Sequence, residues 1–166
     1  MKLRNMVRCG LCAALMAVCA WIAVPVGDVS ITLQTCGIFF TLAFLGGRQG
    51  TVVCGVYLLL GAVGLPVFSG FQGGVGILLG PTGGYLFGFF LTCLIFWLLE
   101  KTLPLWINMI IGLVICYVCG SLWFYYGYTQ NGLWVILIKC VVPYLIPDAV
   151  KMLLALTISK KLKGKA

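Results

Sequence analysis

The sequence predicts an all-α integral membrane protein with six transmembrane helices and both termini cytoplasmic, forming one domain over residues 1–166. Three observations predict it. Apolar residues make up 63% of the chain and charged residues 8%, against about 25% charged in a soluble domain. The apolar residues gather into six runs, most near the 17–25 residues that cross a bilayer as a helix. The basic residues then alternate with those runs. Lys2, Arg4 and Arg8 precede the first, Arg48 lies between the second and third, and Lys101 lies between the fourth and fifth. Lys160, Lys161, Lys163 and Lys165 follow the sixth, whereas the connections around Asp28, Gln72 and Gln130 carry no Lys or Arg. With six spans every loop basic residue falls on one side, which the positive-inside rule makes the cytoplasm. Charge placed this way sets membrane orientation, so the net charge of +8 does not point to nucleic acid.

The first run covers residues 7–24. Its basic start would also suit a signal peptide, with Ala17 and Ala20 permitting cleavage. Removal would leave five spans and place the basic C-terminal tail opposite the other basic loops, so the reading is a retained helix. The second run, 31–45, is short and opens on the polar residues Thr32, Gln34 and Thr35. The third covers 51–67. Gly70 to Gly74 then reads as a loop, and Pro81, which lacks an N–H, suits the first position of a fourth helix over 81–99. Gly76, Gly80, Gly84 and Gly88 recur every fourth residue. On a helix they share one face, where a neighbour or a ligand can approach the backbone.

The fifth run covers 105–126. Trp123, Phe124, Tyr125, Tyr126, Tyr128 and Trp134 flank the turn after it, as an interfacial aromatic belt would. The sixth run, 132–158, holds Lys139, Asp148 and Lys151. Lys139 lies where its stem can snorkel to the interface. Asp148 and Lys151, three apart, share a helix face. Ionisable groups inside a membrane usually face an interior and mark a ligand or ion pathway; a structural ion pair between helices is the plainer alternative. Pro143 and Pro147 interrupt the backbone beside them. A half-helix starting at Pro147 would put Asp148 in its first turn, where the helix dipole favours a negative charge.

Catalytic chemistry is poorly represented. The chain has no His, so Ser69 lacks a base and a mixed zinc site lacks a ligand. There is no phosphate-binding G-x-x-x-x-G-K-[ST] loop. Cys9 and Cys12, like Cys116 and Cys119, have C-x-x-C spacing, but in apolar helical runs cysteine behaves as a small hydrophobe. No cofactor is implied and the chain reads as a non-enzyme. What it offers is a pocket: Phe68, Phe71 and Tyr85 surround the glycine-rich stretch from Gly70 to Tyr85, where they can wall a small-molecule site. Binding and transport lead over catalysis.

Several stretches together resemble one family. Val67-Phe68-Ser69-Gly70-Phe71 followed by Gly80-Pro81-Thr82-Gly83-Gly84-Tyr85 is similar to the signature of the BioY family, the biotin-binding substrate subunits of energy-coupling-factor (ECF) transporters. Ile31-Thr32-Leu33-Gln34-Thr35 looks like that family's polar start to its second helix. The segment from Pro143 to Lys151 looks like its C-terminal motif, more often P-F-x-P-G-D-x-x-K, with Ile146 and Pro147 here in place of Pro and Gly. The resemblance implies a six-helix bundle in the cell membrane with no ATPase of its own. Its partners would be a transmembrane coupling subunit and two ATPase subunits, the first met through an A-x-x-x-A face that Ala13 and Ala17 fit. It also implies biotin as ligand. Aromatic and aliphatic walls suit a bicyclic ring and its tail, and the ureido group needs paired donors and acceptors such as Gln34 or Gln72 with Asp148. Lys151 would neutralise the valerate or orient Asp148. The substrate-binding candidates are Gln34, Phe71, Gln72, Thr82, Tyr85, Asp148 and Lys151. Two alternatives remain: a substrate subunit for another vitamin, and a membrane enzyme or assembly factor using the cysteines.

Overall fold

A computed structural model describes residues 3–26, 29–128 and 133–163. Helix α1 (Leu3–Trp21) leads into two antiparallel strands, β1 (Ala23–Val26) and β2 (Val29–Thr32), with Ala23 opposite Thr32. The sequence reading carries the first helix on to residue 24 and has no strands. The segment around Pro25 is rich in β-branched residues, and a proline cannot continue a helix, so the chain turns extended there. Helices α2 (Gln34–Leu45) and α3 (Gly47–Ala62) follow, hinged at Gly46, whose φ of 84° is open to glycine at little cost. After α3 the chain runs without long helix through a 3-10 turn at Ser69–Phe71 and the single-turn α4 (Val75–Leu78). Helices α5 (Gly83–Leu99), α6 (Leu105–Tyr128), α7 (Leu133–Cys140) and α8 (Val142–Lys163) complete the chain.

Helices α1, α6 and α8 are long and apolar enough to cross a membrane, and α2 and α5 are shorter apolar helices. Their outward faces are apolar too: Leu11, Leu98 and Leu153 are each more than 60% exposed. Such faces suit lipid contact and not water, as expected of a multi-pass membrane protein. Inside, Met16, Ile38, Phe39, Leu42, Tyr57, Phe68, Phe96 and Met109 form one core from α1, α2, α3, α5, α6 and the segment after α3. Helix α1 supplies Cys12, Met16, Ala17 and Ala20 to the buried set, so it is part of the bundle.

Contacts sort the helix ends. The Arg8 guanidinium lies 5.6 Å over the Phe44 ring, and the Gly47 N–H donates to Glu100 at 2.5 Å. These join the start of α1, the α2–α3 turn and the α5–α6 connection at one end, with Arg48 and Lys101 beside them. At the other end, the Trp21 indole donates to Pro66 O at 2.8 Å and the Trp123 indole to Gly80 O at 3.1 Å. The first turn of α2 meets the early part of α8 through Thr35 and Asp148. Helix α8 therefore runs alongside α2 in the same direction and carries Lys160 and Lys161 toward the end that holds the other basic residues.

Three local expectations change. Gly84 and Gly88 do face α6: a Cβ at Gly84 would strike the Trp123 side chain, and one at Gly88 would lie 3.1 Å from Cys116 Cα. But Gly76 sits in α4 and Gly80 in the turn before α5, so the four glycines do not share one helix. The helix starts at Gly83 and not at Pro81, because the turn over residues 79–82 is closed first by the Gly83 N–H on Gly80 O at 2.9 Å. The last run is split into α7 and α8 at Val141, and α8 passes through Pro147. Pro143 occupies its first turn, where a missing N–H costs nothing. Asp148 is thus well inside α8, beyond reach of the dipole at its start.

Candidate functional site

A cavity of about 370 Å³ opens between the strands, the segment after α3, and helices α2, α5, α6 and α8. That volume lies within the range of small-ligand sites. Its apolar wall comes from Phe68, Ile77, Leu86 and Phe89, with Tyr85, Tyr117 and Tyr144 presenting rings. Phe68 is held by an edge-to-face contact with Tyr57 at 5.6 Å. Tyr85 and Phe89, four apart on α5, fall on the same side of that helix.

The polar end of the cavity is built around Asp148. Asp148 and Lys151 are 2% and 5% exposed and pair at 2.7 Å. The i,i+3 spacing on α8 brings them together as the sequence indicates. Asp148 receives two further donors from other helices: Thr35 Oγ1 to Oδ1 at 2.9 Å and Tyr117 OH to Oδ2 at 2.6 Å. A buried carboxylate needs this many partners, since each unmet lone pair in a low dielectric is costly. The macrodipole role expected of Pro147 is thus replaced by side-chain donors.

A second network holds Gln34. Its amide donates to Tyr57 OH at 2.7 Å, and its Oε1 accepts from Thr32 Oγ1 at 3.1 Å. Tyr57 OH in turn donates to Val67 O at 2.9 Å. This chain of bonds ties the first turn of α2 to the segment that covers the cavity.

That covering segment, residues 63–82, is a strap. It lines the site with Phe68, Ser69, Gly70, Gln72, Ile77 and Thr82. Aromatic donors fasten it at both ends. Trp21 and Tyr57 reach Pro66 O and Val67 O, and Tyr128 and Trp123 reach Leu79 O and Gly80 O. Between those fixings, Gly70 and Gly74 have φ of 70° and 100°, a conformation that side chains rarely adopt.

Of the sequence-derived candidates, the structure brings Gln34, Gln72, Thr82, Tyr85, Asp148 and Lys151 to one cavity. Phe71 is a correction. It is 63% exposed and absent from the lining, because its φ of 59° turns the ring outward onto Trp21, at 4.8 Å between centroids. Ala13 is half-buried at the edge of α1, while Ala17 is 7% exposed and part of the core. The exposed small residues of that stretch are Gly10 and Ala14. The aromatic belt is also divided: Tyr126 and Trp134 are 83% and 77% exposed, whereas Trp123 and Tyr128 fasten the strap. Lys139 falls in α7, and Asp28 and Gln130 lie outside the described residues.

Sequence reasoning missed Thr35, Tyr117, Tyr144 and Phe89 as site residues. For Thr35 and Tyr117 a signal existed, a hydroxyl inside an apolar run, which in a membrane must find a partner. Phe89 has none beyond its spacing from Tyr85. The cysteines gather no metal-binding group among the described residues. Cys12 and Cys116 are buried, and Cys9 and Cys119 half-buried, as packing residues are.

Comparison with known proteins places the fold and the sequence in a family. The biotin transporter BioY of Thermotoga maritima is 38% identical over 165 residues, covering 97% of this chain and 96% of that one. The probable biotin transporter BioY of Pyrococcus horikoshii is 34% identical over 166 residues, covering 99% of each. Among solved structures, the S-component for biotin from an ECF-type ABC transporter superposes with a TM-score of 0.87 at 27% identity. That match covers 99% of this chain and 93% of the other. The profile of the BioY family spans residues 1–165, and the chain belongs to the BioY family.

Proposed function

We propose that this chain is the biotin-binding membrane subunit of an ECF-type uptake transporter. The observation that carries the reading is the cavity: aromatic and aliphatic along most of its wall, with a single charged pair, Asp148 and Lys151, at one end. Biotin has matching parts, an apolar ring and tail with polar groups at its ends. The pair is net neutral, so a neutral donor–acceptor group can meet it without bringing an unbalanced charge into a low dielectric. Gln34, Gln72, Thr82, Tyr85, Asp148 and Lys151 form the proposed binding set. Phe71 acts from outside it, through Trp21.

The remaining features of the proposal concern the membrane and the partners. We read six spans, counting α7 and α8 as one, with the basic helix ends on the cytoplasmic side of the cell membrane. The cavity then opens toward the outer face. Transport would need a transmembrane coupling subunit and two ATPase subunits, since the chain carries no phosphate-binding loop. Contact with the coupling subunit is proposed along α1, where Ala13 borders the exposed Gly10 and Ala14. Ala17 would act by shaping how α1 packs. Should Ala13→Leu leave uptake by the assembled complex intact, that contact is misplaced.

Ligand identity is tested by titrating the detergent-purified chain with biotin, thiamine and riboflavin. Saturable binding of biotin alone supports the proposal; preference for another vitamin replaces the ligand. Replacing Cys9, Cys12 and Cys119 by Ala together should leave biotin binding unchanged. Its loss would favour the cysteine-dependent reading.

A further inference from the structure

We infer that Tyr117 and Thr35 are positioning residues that hold the Asp148 carboxylate so that Lys151 keeps free donors for an acceptor oxygen of the ligand. The inference rests on the proposed function and adds residues from two other helices to it. The geometry around Asp148 assigns the roles. Oδ2 is taken by Tyr117 at 2.6 Å, a length typical of a hydroxyl bonded to a charged oxygen. Oδ1 is shared by Thr35 at 2.9 Å and Lys151 at 2.7 Å. The three donors come from α6, α2 and α8, so the carboxylate plane is fixed by three separate elements.

Lysine has three N–H donors and no acceptor. Among the described residues, the Lys151 ammonium uses one of them, on Asp148. Its side chain is 7% exposed, so bulk water does not freely serve the other two. They belong to a cavity-lining group and call for an oxygen acceptor, carbonyl or carboxylate, from whatever fills the site. Asp148, already holding three donors, is then mainly the counter-charge that aims Lys151. Without the Tyr117 hydroxyl, Oδ2 would be unmet. The carboxylate could rotate and draw further Lys151 donors to itself, away from the ligand. Ligand affinity would fall although Tyr117 need not touch the ligand.

The test is biotin titration of the purified chain, with melting curves alongside, on Tyr117→Phe, Asp148→Asn and the double variant. Tyr117→Phe should weaken binding on the order of tenfold, as loss of a hydrogen bond to a charged group does. In the Asp148→Asn background the same change should cost about threefold or less, because the charge it serves is gone. Equal losses in both backgrounds would mean that Tyr117 acts on the ligand directly and would overturn the inference, as would unchanged affinity in the single variant. Thr35 gives an independent reading if Tyr117→Phe fails to fold. Thr35→Ser, which keeps the hydroxyl, should bind as the unaltered chain does, and Thr35→Val should not; equal behaviour of the two overturns the inference. An unaltered chain that binds no biotin would overturn the proposed function and this inference together, an outcome distinct from binding that the variants leave unchanged.

Discussion

The two ends of the cavity are built in opposite ways. At the deep end, Asp148, Lys151, Thr35 and Tyr117 stand on helices α8, α2 and α6, and their polar atoms meet each other. At the mouth, the strap over residues 63–82 has little regular structure, and aromatic donors on α1, α3 and α6 hold its backbone carbonyls. One end is fixed by charge and helix packing, the other by hydrogen bonds from aromatic side chains. The difference assigns different work to each. We propose that the deep end sets how tightly a ligand is held, and that the strap sets how readily it enters and leaves.

The largest effects should come from the deep end and from the root of the strap. Asp148→Ala strands Lys151 as an unpaired buried charge, which costs about 3–5 kcal/mol; a lowered melting temperature should accompany loss of binding. Phe68→Ala should cost a similar amount, about 3–5 kcal/mol, since Phe68 is 1% exposed and seated over Gly61 and against Tyr57. A denaturation curve checks it.

Smaller effects should appear where the strap is fastened from outside. Gly84→Val would press a side chain into Trp123, whose indole holds Gly80 O, and should destabilise by about 1–3 kcal/mol. Trp21→Ala removes a ring stack and one hydrogen bond, each worth about 0.5–1.5 kcal/mol. Because Trp21 lies outside the cavity, faster biotin dissociation should be its main signature, with equilibrium affinity changed little. Least of all, Phe71→Ala should leave affinity within about twofold, roughly 0.4 kcal/mol. A large loss there would put the Phe71 ring inside the site after all.

The same contrast explains what the sequence could and could not reveal. Asp148 and Lys151 were legible because two charges in an apolar run are rare and their spacing alone makes them neighbours. The helices around them were legible because hydropathy is a local property of the chain. Tyr117 was legible only as a hydroxyl in an apolar run; that its partner is Asp148 depends on how α6 approaches α8, and nothing near it in sequence encodes that approach. Phe71 misled for a related reason: three residues from Phe68 and equally aromatic, it points the other way only because the backbone at Gly70 and Phe71 enters the left-handed region. Pro147 misled as well. A proline suggests a helix start, but α8 tolerates it internally, and the carboxylate finds its stabilisation in hydroxyls from α2 and α6.

The most direct test is to compare biotin dissociation constants for Asp148→Asn and Trp21→Ala with that of the unaltered chain, all purified in one detergent. The account predicts a loss on the order of tenfold to a hundredfold for Asp148→Asn, from one charged hydrogen-bonding group. For Trp21→Ala it predicts a change of about threefold or less. The reverse ranking, with affinity lost at Trp21 and kept at Asp148, would contradict it.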